Sequence, residues 1–280
     1  MARPVPDLRP AAPLGHVLWI GGPPGAGKTT VASRLARTHG LRLYSADTRT
    51  WSHRDRALAA ADPVAHRWEA LSPVDRWDGT TPQELVALSL HHARGPMVID
   101  DLRVLPSSPL VVAEGSVLPA WAVSSGIAAP GRAVWLLPTA ELQDRLLAAR
   151  GTAGGQAVLH RAMRDVIAEE VEDHGVPSLT VDGSCDVEAL TSAVEAMFAG
   201  AVGEGPRAAT VEERRGLLRE ANLDVVSQVR ARFARPWAGG VADDVLRMFP
   251  CECAQPGCTS DVERRVGEAA ARPTLAAGHR

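Results

Sequence analysis

Two short stretches of this chain carry residue types at spacings that suit chemistry. In the first, Gly22-Pro23-Pro24-Gly25-Ala26-Gly27-Lys28-Thr29-Thr30 contains the pattern G-x-x-x-x-G-K-[ST]. Glycines there let the backbone curl until successive N–H groups aim at phosphate oxygens, and a following helix adds the positive end of its dipole. Lys28 would bridge the outer phosphates and the Thr29 hydroxyl would ligate Mg²⁺. In the second stretch, Cys251, Cys253 and Cys258 lie within eight residues. Two thiolates at Cys-x-Cys spacing and a third five residues on can converge on one ion, with Pro256-Gly257 making the turn between them. Tetrahedral zinc needs a fourth ligand, and His279 belongs to the same segment. The expectation is a structural Cys₃His zinc site, with Cys185 or water as the other candidates for the fourth position.

The elements that must hold these groups are legible around them. HVLWI, directly before the loop, reads as a short buried strand, and VASRLART after it as a helix stopping at Gly40. A second strand, LRLYS, ends at Ala46-Asp47. Residues 48–81 are rich in Arg, His and Trp and have no clean period. A helix should begin near Thr81-Pro82. PMVIDD (96–101) resembles an acidic strand end, but Met97, Val98, Asp101, Leu102 and Leu105 recur at helical spacing. It also lies too near LVVAE (110–114) for two parallel neighbours joined by a crossover. Residues 97–105 are therefore read as helix and LVVAE as the third strand. RAVWLL and SLTV supply two more strands, with helices at 139–150, about 156–174 and around 187–197. Strands alternating with helices predict a parallel sheet covered on both faces. The expected divisions are a Pro-rich disordered tail (1–14), a phosphate-loop domain (15–199), a linker (200–209) and a C-terminal module (210–280). Thr210 and Glu213 form a capping box opening that module, whose long helix carries Leu218, Val225, Val229 and Phe233 on one face.

Composition excludes several activities. Lys28 is the single lysine among 280 residues. A guanine-reading Asn/Thr-Lys-x-Asp motif would need a second one, as would the residue set of protein kinases. Net charge is −3, and residues 206–280 hold twelve arginines against ten acids, a balance that speaks against nucleic acid as a partner. The N-terminus lacks the apolar stretch of a signal peptide, and no apolar run is long enough to cross a bilayer, so a cytoplasmic protein is expected.

Over residues 15–200 the chain resembles the P-loop small-molecule and nucleoside kinases, the shikimate, gluconate, adenylate, cytidylate and uridine kinases. GGPPGAGKTT, the Asp after the second strand (YSAD), the ending Glu114-Gly115 of the third, and an Arg-bearing helix ELQDRLLAARG carry the resemblance. It implies an α/β fold with a five-stranded parallel sheet in the order 2-3-1-4-5 and ATP at the carboxyl ends of the strands. It also implies that Asp47 faces Lys28 and accepts or orients a substrate hydroxyl proton, that Glu114 holds Mg²⁺ through water, and that Arg145 and Arg150 neutralise the transferring phosphoryl group. The lid is short and not clearly R-x-x-x-R, which departs from the family. The acceptor pocket should come from 48–81, with Arg49 and Arg54 in the pocket and Trp68 and Trp77 packing on the sheet. Residues 215–280 resemble a tail of uncharacterised bacterial proteins, reading C-E-C-x4-C and closing with a Gly-His pair. The module is expected to be small, α-helical and zinc-binding, used for docking or regulation. The function expected is ATP-dependent phosphoryl transfer to a small molecule or nucleotide. The alternative is a nucleotide-binding ATPase or regulatory protein whose zinc module binds a protein partner.

Overall fold

The computed structural model describes residues 14–280 apart from 73 and 79. The expected tail lies outside the described residues except for Leu14, which is buried in the core. In chain order the elements are β1 (Val17–Gly21), α1 (Lys28–His39), β2 (Arg42–Ser45), a 3-10 turn (Ala46–Arg49), α2 (Thr50–Ala59), α3 (Pro63–Ala70) and α4 (Pro82–Leu88). A second 3-10 turn (Leu90–His92), α5 (Gly95–Val104), β3 (Val111–Gly115), α6 (Pro119–Ser124), β4 (Ala133–Pro138) and α7 (Ala140–Ala149) follow. The domain closes with α8 (Gly154–His174), β5 (Ser178–Val181) and α9 (Val187–Glu204).

The five strands form one parallel sheet in the order β2-β3-β1-β4-β5, as expected. Side chains alternate across a strand, so the strands inside the sheet feed two cores, while the edge strand β5 feeds one. Val17, Trp19, Val111, Ala113, Ala133 and Trp135 face a core completed by α4, α5, α6 and α8. Leu18, Ile20, Val112, Val134 and Leu136 face the other, filled by α1 and α9. Residues 97–104 are helical, as the spacing predicts, with Leu105 capping the helix in an extended conformation, and Ile99 and Leu102 pack beneath the sheet.

The linker expected at 200–209 is structured. α9 runs on to Glu204 because Val202 is buried against α1, and the next residues are strapped to the sheet by Leu110 N–H to Pro206 O (2.9 Å) and Ala208 N–H to Gly40 O (2.9 Å). The module comprises α10 (Val211–Phe233), capped by the Thr210–Glu213 box, then a 3-10 turn (Ala242–Asp244), β6 (Leu246–Pro250), β7 (Asp261–Arg265) and α11 (Val266–Ala271). It is therefore not purely α-helical, since β6 and β7 pair antiparallel around the cysteine turn. Leu246 and Met248 stay exposed and β7 reads Asp-Val-Glu-Arg-Arg, so the hairpin has no apolar run to announce it. α10 buries a stripe that overlaps the expected one. Val229 is common to both, Val225 and Phe233 pack at the edge of the same small core, and Asn222 and Val226 are buried beside them, with Val226 and Val229 meeting Phe249, Val266 and Ala269. Among the described residues no helix is long and apolar enough to cross a membrane.

The module docks along β2 and the helices after it. Arg42 pairs with Glu220, and Arg49 with Asp224 at 2.7 Å. Further on, Arg235 pairs with Asp55 at 2.7 Å and donates to Trp51 O, while the Trp237 indole donates to Glu69 at 3.0 Å beneath the Arg76 guanidinium. Trp237→Ala removes the ring that Arg76 and Trp51 pack on. We expect it to lower unfolding free energy by about 2 kcal/mol, read from urea denaturation, because a half-buried indole and its stacked cation are lost together.

Candidate phosphate-loop site

β1 ends at Gly21, and the loop crosses to α1 in six residues, leaving Lys28 as the first residue of the helix. Gly22 has φ 135°, and a Cβ there would lie 2.3 Å from Leu136 O, so only glycine permits the turn off the strand. Gly27, at φ 85°, gives α1 its left-handed start. Lys28 is buried, its ammonium donating to Pro23 O at 2.9 Å and to Ser116 Oγ at 3.3 Å.

Glu114 is the last residue but one of β3 and has no solvent exposure. One of its oxygens accepts from Thr29 Oγ1 at 3.1 Å and from Ser45 Oγ, while the other has no partner. Burial and the neighbouring Asp47 raise its pKa, against the pull of Lys28 and the two hydroxyl donors. Asp47 follows β2 in the 3-10 turn, open to the cleft but walled by protein. Burial would raise its pKa, yet Arg94, Lys28, His91 and His160 outweigh burial and hold the carboxyl below its ordinary value.

A chain of buried groups fixes Asp47. The Arg94 guanidinium lies 3.6 Å from its carboxylate, donates to Ala46 O, and donates from Nε to His53 Nδ1 at 3.2 Å. Arginine only donates, so His53 carries its proton on Nε2 and gives it to Asp101 at 2.8 Å. Tyr44 and Arg56 donate to the same carboxylate.

A cleft of about 330 Å³ gathers Pro24, Gly25, Gly27, Lys28, Thr29 and Thr30 on one wall and Asp47, Thr50, His91, Arg150, His160 and Gln228 on the other. The expected residues Lys28, Thr29, Asp47 and Arg150 are thus together. Arg145 is elsewhere, against Gly183 in the loop after β5. Arg49 is paired with Asp224, and Arg54 is buried with its guanidinium 4.7 Å from the Trp68 ring, so neither lines the cleft. Trp68 and Trp77 pack edge to face against each other, and Trp77 also meets the core beneath the sheet, whereas Trp68 is taken up by Arg54 and Arg76. His91, His160 and Gln228 escaped sequence reasoning, because each reaches the cleft from a different element, and so did Arg94, which acts from behind as the buried partner of Asp47.

At the far end of α1, Cys251, Cys253, Cys258 and His279 place one ligand atom each within 4.8 Å of one another, a group that could hold a metal ion. His279 Nδ1 is 3.4 Å from Cys251 Sγ and 3.7 Å from Cys258 Sγ. Cys185 is exposed in the loop after β5 and stands outside this group. Backbone N–H groups of Gln255 and Ala276 donate to Cys253 and Cys251.

No protein-family model matches this sequence, and no curated protein does. A gluconokinase from Sinorhizobium meliloti 1021 is similar in structure, with 18% identity and a TM-score of 0.39, over 68% of this chain and 95% of that one. The sheet order and the phosphate loop give residues 14–204 a kinase-like P-loop fold.

Burial and Arg94 push the pKa of His91 down to about 3, and burial lowers that of His160, so both imidazoles are neutral at pH 7. A folded pKa below the unfolded one makes the unfolded state the better proton acceptor. The stability from His91 is then complete above about 6.5 and lost as pH falls below it. Between pH 7.5 and 5.5 we expect wild type to lose about 1 kcal/mol more than His91→Gln, by urea denaturation at each pH.

Proposed function

We propose that this chain is an ATP-dependent phosphotransferase acting on a small molecule, with a structural zinc site in its C-terminal module. The observation that carries the first half is Asp47 facing Lys28 across a single cleft, with neutral imidazoles beside it. Mg²⁺-ATP fits the residues present: the loop N–H groups suit its phosphates, and the Thr29 hydroxyl and the unpartnered Glu114 oxygen suit a hydrated cation. When bound, it would supply the phosphoryl group and the charge that compensates two nearby carboxylates.

The chain's own groups would do the remaining work. Asp47, kept ionised by Arg94, would accept the proton of an acceptor hydroxyl as that oxygen bonds to the γ-phosphorus and the bond to the bridging oxygen breaks, releasing ADP. Lys28 leaves Pro23 O and Ser116 to stabilise charge on the transferring group. Arg150, at the end of α7, lies next to the Gly151–Gly155 stretch, which suits closure over the cleft. Lys28→Ala should leave the fold intact and abolish most transfer. Asp47→Asn should keep ATP affinity and lose about two orders of magnitude in turnover. ATP turnover with identified phosphoproducts checks both. Hydrolysis at full rate without any acceptor would instead support an ATPase.

The zinc half is supported by donor chemistry. Zn–S and Zn–N bonds of ~2.3 and ~2.05 Å imply tetrahedral edges of about 3.6–3.8 Å. The His279 to cysteine separations, 3.4 and 3.7 Å, fall close to that range. The module's core contains only five fully buried apolar side chains, and a piece this small needs a staple. Protein purified without added zinc should carry one zinc per chain, lost in Cys253→Ser and weakened in His279→Ala. A metal-free wild type would end this assignment, and full occupancy in His279→Ala would move the fourth ligand.

A further inference from the structure

We propose that the acceptor is an uncharged, hydroxyl-bearing small molecule held between His91, His160 and Gln228, the last supplied by the C-terminal module. The inference deepens the phosphotransferase reading and depends on it. It starts from the hydrogen-bond inventory of the cleft. His91 Nδ1, His160 Nδ1 and Gln228 Oε1 are screened from solvent and have no partner among the described residues. Unpaired buried polar atoms are rare in folded proteins, and each costs free energy unless something meets it. These three belong to side chains that line one cleft, opposite the loop and around Asp47. They come from the 3-10 turn after α4, from α8 and from α10, so no single local motif explains their convergence.

The kind of molecule follows from charge. Imidazole and carboxamide groups both donate and accept, which matches hydroxyls. The cleft's positive side chains are Lys28, within the phosphate loop, and Arg150, at the end of α7. The arginines that might have met an anionic acceptor are committed elsewhere. Arg49 pairs with Asp224, Arg56 with Asp100 and Asp101, and Arg94 with Asp47, while Arg54 and Arg76 stack on Trp68. An acceptor bearing a carboxylate or phosphate would therefore meet the Asp47 carboxylate with no cation of its own. The imidazoles do not supply one, because burial and the neighbouring cations keep both neutral. Size agrees with charge: about 330 Å³ must also accommodate the outer phosphates, which leaves room for a small acceptor.

The assignment also gives α10 a part in the site. Gln228 sits between the docked residues Asp224 and Arg235, so its amide is carried to the cleft by the same ion pairs that seat the module.

The test uses full-length protein, labelled ATP and matched acceptors: glucose with gluconate, adenosine with AMP, and myo-inositol with its monophosphate. Transfer to an uncharged member with kcat/KM about tenfold or more above its charged partner is expected. Gln228→Ala and His160→Gln should each raise the KM of that acceptor about tenfold, leaving kcat within about twofold and the affinity for a non-hydrolysable ATP analogue unchanged. Faster transfer to a charged member overturns the acceptor class and keeps the phosphotransferase reading. Normal acceptor KM in both variants overturns the subsite. Phosphorylation of no acceptor in either set overturns both readings.

Discussion

Glu114 is a carboxylate with no exposure to water, lodged at the carboxyl edge of the sheet, and much else must be in place before it can be tolerated. Burying such a group costs several kcal/mol unless hydrogen bonds and an opposite charge offset the loss of hydration. The offsets come from three elements. Ser45 is its register partner on β2 and donates to it, Thr29 donates from the first turn of α1, and the Lys28 ammonium lies near enough to favour the ionised form. A slip of one residue in the β2–β3 register would turn Ser45 to the other face and remove that donor. It would also displace Asp47, which follows Ser45 by two residues, from the cleft. The two carboxylates, the lysine and the phosphate loop thus depend on one alignment of β2, β3 and β1, and the two apolar cores exist to hold that alignment.

The same logic explains how an arginine-rich chain uses its charge. Arginines on helices are ordinarily solvated. Here many are connectors. Arg219 donates to the backbone carbonyls of Ala269, Ala270 and Arg272 and closes the C-terminal module from inside. Arg54 and Arg76 lie on Trp68, and Arg235 lies on Trp51. A planar, weakly hydrated guanidinium can stack and donate several hydrogen bonds at once, which a lysine ammonium cannot do. That is why the residues richest in arginine and tryptophan form a packed cover and an inter-module seam rather than a wall of the cleft.

What could be read in advance follows the range of each interaction. The phosphate loop, the helical reading of 97–105, the capping box at Thr210 and the sheet order rest on local spacing or on the resemblance it revealed, and the structure bears these out. The cluster of three cysteines with His279 was legible for a related reason: three of its members are close in sequence, and the fourth lies in the same segment. The cover was less legible. Arg49 and Arg54 looked like pocket residues because their partners, Asp224 and Trp68, carry no pattern that links them in sequence. His160 and Gln228 were invisible for the same reason, each being one polar residue on a long helix whose rotation is set by distant packing. The β6–β7 hairpin was missed because its outer residues are apolar without burial and its second strand is mostly charged.

α1 joins the two halves of the molecule physically. Its first residue is Lys28, and twelve residues span about 18 Å. Near its other end Arg37 is almost fully buried, donating to Ser260 O at 2.8 Å, to Asp261 at 3.0 Å and to Cys258 Sγ at 3.8 Å. Thr38 O, one residue later, accepts from Arg214 of α10. The cysteine turn is thus bolted to the distal end of the helix whose proximal end shapes the phosphate loop. A helix packed on both the sheet and α9 transmits position with little bending. The module therefore holds Gln228 and the loop in one frame, and a cleft wall built partly from a second folding unit is defined only while that unit is folded and docked.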